Sequence, residues 1–105
     1  MEAEPVYTMV EVAKATGKIK KGVNEVTKIL ERGQAKAVII AEDANPREIT
    51  MHLPVLGKEK GVPVVNVPSK EELGAAAGLP VSTIAIVIVD AGDAKADVET
   101  LGKEE

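Results

Sequence analysis

Ile84-Ala85-Ile86-Val87-Ile88-Val89 is six apolar residues in unbroken succession, β-branched at every position but one. A run this short and continuous predicts a strand covered on both faces, at the centre of a sheet. The elements around it are read outward from that strand. Upstream, Ser69-Lys70-Glu71-Glu72 is a capping box opening a short helix that stops near Gly78. Residues 62–67 predict a strand that tolerates an edge because it contains Pro63. Ala37-Val38-Ile39-Ile40-Ala41 is a second buried strand, with Glu42-Asp43 at its end. Asp43 or Asn45 is a candidate cap for a helix with Pro46 near its first turn. That helix runs towards Lys60-Gly61, and Pro54 should break or kink it.

Nearer the N-terminus, Val23, Val26, Ile29 and Leu30 form one apolar stripe of a helix that ends at Gly33. Lys18-Ile19-Lys20 alternates as a short strand with Ile19 inward. Val6, Met9, Val10 and Ala13 recur at helical spacing, which predicts a helix over 6–16 closed by Gly17. Residues 93–102 can form a last helix anchored by Ala96, Val98 and Leu101. Helix and strand alternate throughout. The expected fold is α/β, a three-layer α-β-α sandwich with a mixed sheet of about four strands, in one domain over residues 1–105.

Composition narrows the function classes. The apolar fraction is 45%, with one Tyr and no Phe or Trp, so stacking of bases on aromatic rings is essentially closed to this chain. Recognition-motif sheets and oligonucleotide-binding barrels, which depend on such stacking, are demoted. With no cysteine there are no disulfides and no thiolate metal sites. No apolar run approaches the roughly 20 residues that span a bilayer. The N-terminus lacks the basic-then-apolar order of a secretory signal, which points to a cytoplasmic protein without membrane partners.

Charge supplies the functional clue. Residues 14–36 hold seven basic and two acidic side chains, a balance of +5 in a chain whose net charge is −4. Concentrated positive charge on an acidic domain suits a polyanion. Lys21, Glu25, Lys28 and Arg32 follow at spacings of four, three and four, so they share one helix face with Asn24 beside it. From charge alone, a solvated face and a polyanion contact both remain open.

Lys20-Lys21-Gly22-Val23-Asn24-Glu25 followed by Thr27-Lys28 resembles the motif of the archaeal and eukaryotic ribosomal-protein family that binds kink-turn RNA, the L-seven-Ae type. The likeness continues in order through Glu31-Arg32-Gly33, Ile40-Ala41-Glu42-Asp43, His52-Leu53-Pro54, Val67-Pro68-Ser69-Lys70 and Leu73-Gly74, over about residues 15–90. The resemblance implies a sandwich that binds a bent helix–bulge–helix RNA carrying tandem sheared G·A pairs. By resemblance, Asn24, Glu25 and Lys28 would meet the two guanines. Their chemistry is suited to it: a carboxylate accepts from N1–H and N2–H2, a lysine donates to O6 or N7, and an asparagine can do either. Lys18, Lys21, the Gly22 backbone, Arg32 and Lys70 would hold phosphates. Leu79, Pro80, Val81, Ser82 and Thr83 would pack small apolar groups against bases of the bulge.

The implied partners are kink-turn RNA (ribosomal, guide or RNase P RNA) and the proteins that assemble on it. A monomer with no cofactor and no enzymatic activity is expected.

Blander readings stand beside these. Asn24 and Glu25 suit the first turn of any helix, where negative charge complements the dipole. Lys28 and Arg32 can pair with Glu25 and Glu31, and Leu79–Thr83 can be a plain connector. Glu42-Asp43 reads as a cap and loop former before a metal or acid–base site. His52 has neither a nucleophile motif nor a second ligand, so packing or surface placement is its expected role. Gly74-Ala75-Ala76-Ala77-Gly78 lacks the spacing and ending of a phosphate loop and reads as close helix packing followed by a stop. Two other function classes compete with RNA binding: a protein-interaction module on the same sandwich that has lost RNA binding, and a small α/β enzyme using Glu42 and Asp43.

Overall fold

The structure, a computed structural model, describes residues 3–43 and 51–95. Its elements run α1 (Ala3–Thr16), β1 (Lys18–Lys21), α2 (Val23–Glu31), β2 (Ala37–Ala41), α3 (His52–Lys60), β3 (Val64–Val67), α4 (Lys70–Ala76) and β4 (Ala85–Asp90), followed by a 3₁₀ turn at Gly92–Ala94. The strands form one mixed sheet in the order β1-β4-β2-β3. β4 lies antiparallel to both of its neighbours, and β2 and β3 are parallel. The continuous apolar runs at 37–41 and 84–89 thus become the two central strands. The run containing Pro63 becomes an edge, as expected of it; the strand itself begins at Val64, and the Pro63 carbonyl just before it accepts from the Val38 N–H at 3.0 Å.

Period-two alternation distributes each central strand between two cores. Ala37, Ile39 and Ala41 of β2, with Ile86 and Ile88 of β4, meet Val6, Met9, Val10 and Ala13 of α1 and Leu73 and Ala76 of α4. Val38, Ile40, Ala85 and Val87 face the opposite way, onto Val26, Ile29 and Leu30 of α2 and Leu53 of α3. Both cores are aliphatic. Branched residues of low volume suffice because each face is a thin layer between a sheet and a helix pair.

Two local expectations change. α1 starts at Ala3, ahead of the first buried apolar residue, Val6. Pro54 neither breaks nor kinks α3, because it sits in the helix's first turn, where an N–H has no intrahelical partner to lose. Asp43 has a partner distant in sequence: its Oδ1 accepts from the Lys70 N–H at 2.9 Å, at the start of α4. The helix start expected after Asp43 or Asn45, with Pro46 near its first turn, and most of the predicted helix over 93–102 lie outside the described residues.

Candidate nucleic-acid interface

Strand direction assembles the site. β1 and β2 both run against β4, and β3 runs with β2, so three strands end where β4 begins. That end of the sheet collects Lys21-Gly22 and the first turn of α2, then Glu42-Asp43, then Ser69-Lys70, and finally the segment 79–84 leading into β4. Ligand sites of open α/β sheets favour this location, where loops converge beyond the strand termini.

Gly22 makes the entry to α2 sharp. It adopts φ 92° and ψ 141° with open space around its Cα, so glycine is demanded by conformation and not by crowding. Its N–H donates to the Ala85 carbonyl at 3.0 Å and its carbonyl accepts from the Val26 N–H at 2.9 Å. No side chain caps α2. Its first turn therefore offers backbone N–H groups and the positive end of a helix dipole to the surface. Asn24, Glu25 and Lys28 are exposed, while Val26, Ile29 and Leu30 lock the other side of the helix into the core.

The segment 79–83 is held differently. The Thr83 N–H donates to the Lys70 carbonyl at 3.1 Å, and the Thr83 hydroxyl donates to the Ala85 carbonyl at 3.1 Å. That is the same carbonyl that receives Gly22, so one peptide group joins the two parts of the site. Leu79 is half-buried against the core and Thr83 is buried. Pro80, Val81 and Ser82 are the members presented to solvent, with Val81 60% exposed. Beside them Glu71, Ala75 and Leu79 complete an open depression of about 380 Å³.

Ser69 begins α4 as expected, its Oγ accepting from the Glu72 N–H at 3.2 Å. The Tyr7 hydroxyl clasps the same residue, donating to the Ser69 carbonyl at 3.3 Å and accepting from its N–H at 3.2 Å. Burial pushes that hydroxyl above its ordinary 10.0; the Ser69 hydrogen bond pulls it down, and Glu72 and Asp43 add to the rise. Tyr7 therefore stays a neutral structural donor at physiological pH. His52 is exposed and joins α3 to α2, its Nε2 2.8 Å from Thr27 Oγ1. Among the described residues, no three His, Asp or Glu side chains are placed to hold a metal ion.

The structure does not gather every residue singled out from the sequence. Lys21, Gly22, Asn24, Glu25, Lys70 and Pro80–Ser82 share the sheet end. Lys28 stands one turn further along α2, about 6 Å from Asn24, and Arg32, at the helix C-cap, about 12 Å. Lys18 lies at the opposite end of β1, paired with Asp90 and roughly 10 Å from Lys21. Lys36 is at that far end too, its N–H donating to the Ile88 carbonyl, and the Lys14 ammonium packs against Gly78. The basic segment 14–36 is therefore spread over both ends of the sheet. Three residues hold the site together through partners that the sequence does not reveal: Asp43 through the Lys70 N–H, Gly74 through the backbone of Val81 and Ser82, and the inward-turned Thr83 through the Ala85 carbonyl.

Residues 4–98 match the model of the ribosomal protein L7Ae/L30e/S12e/Gadd45 family. Among solved structures, the Giardia lamblia 15.5kD RNA binding protein is similar at 36% sequence identity with a TM-score of 0.88. The match covers 96% of this chain and 84% of that one. No helix among the described residues is long and apolar enough to cross a membrane.

Proposed function

The chain belongs to the ribosomal protein L7Ae/L30e/S12e/Gadd45 family, and from that premise we propose that it is a non-enzymatic RNA-binding protein that recognises and stabilises kink-turns. The observation that carries this reading is the shared Ala85 carbonyl. It fixes the exposed first turn of α2 at a set distance from the small apolar tip Pro80–Ser82, giving one surface for paired bases and another for a bulge. Asn24, Glu25 and Lys28 contact the guanines of tandem sheared G·A pairs. Lys21, Lys70 and the Gly22 backbone hold the adjoining phosphates, with Lys18 and Arg32 at the margin. Pro80, Val81 and Ser82 face the bulge bases, backed by Leu79 and Thr83.

Such a protein does no covalent chemistry. Bent and extended RNA interconvert, and a rigid surface complementary to the bent form draws the population towards it. The working unit is a monomeric single domain of residues 1–105 in the cytoplasm, serving in the large ribosomal subunit or as a core protein of RNA-guided modification particles, where other proteins assemble on the bent RNA. A protein-interaction module that has lost RNA binding is the alternative. It draws on Met51 and Val55 of the α3 region, 65% and 63% exposed.

Titration into a kink-turn duplex labelled at both ends, read by energy transfer, separates the two. Tight binding that shortens the end-to-end distance, with little effect on a duplex whose G·A pairs are made Watson–Crick, is expected. Equal, weak or absent binding to the two duplexes would pass the lead to the interaction module.

A further inference from the structure

The segment that presents Pro80–Ser82 contains no helix or strand, and two residues outside it bear on where it lies. The first is Asp43, beyond the end of β2. Its Oδ1 accepts from the Lys70 N–H at 2.9 Å; the Lys70 carbonyl accepts from the Thr83 N–H at 3.1 Å; and Thr83 reaches the Ala85 carbonyl, where Gly22 also ends. A continuous hydrogen-bonded path thus runs from β2 through the start of α4 and the loop to the turn before α2. The second is Gly74. A Cβ placed there would collide with the Val81 carbonyl oxygen and stand 3.0 Å from Ser82 Cα. Both obstacles are backbone, so no rotamer change relieves them, and the segment would have to lift off the helix. Gly74 lies mid-helix without a positive φ, so close approach alone demands a glycine. Its carbonyl also accepts from the Leu79 N–H at 2.9 Å, fixing the segment at its other end.

We propose that Asp43 and Gly74 are positioning residues that fix the span between the first turn of α2 and Pro80–Ser82, and so determine which bulged RNAs fit. Neither residue needs to touch RNA. This inference rests on the kink-turn reading and adds that bulge recognition is set from beneath the loop. A bulge at the matching distance from the sheared pairs meets both surfaces at once; one at another distance meets only α2. Asp43 acts as a hydrogen-bond acceptor here, so its geometry matters and its charge does not.

The test uses the full chain as wild type, Gly74→Ala, Asp43→Ala and Asp43→Asn, each titrated with a kink-turn RNA and with the same RNA carrying abasic bulge nucleotides. Gly74→Ala and Asp43→Ala are expected to lose roughly tenfold on the intact bulge, about the cost of one well-placed interface contact, and little on the abasic one. Asp43→Asn, which keeps an acceptor oxygen, is expected to bind as wild type does. Equal losses on both RNAs, no loss on either, or an Asn variant as weak as the Ala variant would overturn the proposal.

Amide hydrogen exchange of the free protein supplies a readout independent of RNA. Asp43→Ala should speed exchange at Lys70 and Thr83 and leave the β4 amides unchanged; uniform acceleration, or none, would also overturn it. A wild-type protein that binds neither RNA would sink the kink-turn reading and, with it, the role in bulge selection, while the exchange pattern would still decide whether the path couples Asp43 to the loop.

Discussion

The two parts of the proposed RNA surface are built in opposite ways. The first turn of α2 is rigid because the rest of its helix is anchored: Val26, Ile29 and Leu30 lie in the core, and the exposed residues are carried on a regular element. The segment 79–83 has one half-buried side chain, one buried hydroxyl and a few backbone bonds. Its shape is borrowed from Asp43, Lys70 and Gly74. A site on a helix draws its precision from the core, whereas a site on a loop draws it from whatever the loop rests upon. Damage to the first should therefore appear as lost stability or lost affinity, and damage to the second as altered choice of RNA.

The largest expected effect tests the anchored part. Leu30 is fully buried between α2 and the sheet. Leu30→Ala should destabilise the fold by about 2–5 kcal/mol through lost burial and the cavity left behind. Urea denaturation measures that loss. Kink-turn binding well below the transition should keep its preference for sheared pairs and for the bulge. A change of RNA preference without a loss of stability would reverse the comparison, making α2 the adjustable part.

Next in size is the reading face itself. Asn24→Ala and Glu25→Ala should each cost on the order of 1–3 kcal/mol for kink-turn RNA, as loss of a base contact does. Both side chains are exposed, so melting curves should barely move. Binding isotherms on the kink-turn and on RNA lacking the sheared pairs decide the matter: comparable losses on both would remove these residues from guanine recognition.

How much of this was legible in the sequence follows from the range over which each signal acts. β2 emerges with its predicted bounds, and the predicted strand 84–89 lies central, because continuous apolar runs report burial on both faces directly. Ser69 is the N-cap the sequence predicts, since that bond to the Glu72 N–H is closed within four residues, whereas the Ser69 N–H goes to the distant Tyr7 hydroxyl. The partner of Asp43 is 27 residues away, and no local pattern announces a helix start that arrives through the fold. Gly74 reads as a close-packing position, but what packs on it is set by the return of the chain at Val81 and Ser82. Thr83 is read from the sequence as part of the bulge-contacting loop, and only the fold shows its hydroxyl turned inward to Ala85. Charge misleads for a related reason. A sum along residues 14–36 adds lysines that the strand directions place at opposite ends of the sheet.

That separation sets up the smallest and most discriminating prediction. Lys21 and Lys18 share a strand, a charge and an exposed side chain, yet Lys21 adjoins the Gly22 turn while Lys18 lies opposite Asp90 of β4 at the far end. Each phosphate neutralised releases counterions, so removing one contact should reduce the salt slope of binding by about one. Lys21→Ala should therefore flatten the dependence of log K on log salt by about that much, on every RNA tested, because a phosphate contact positions without reading sequence. Lys18→Ala should flatten it less, since its charge lies roughly a Debye length from the Gly22 turn. Slopes measured across moderate salt for both variants give the comparison directly. Equal flattening would mean that the RNA extends along the whole of β1 to the far end of the sheet, and the interface would be a strip along one edge in place of a patch at one end.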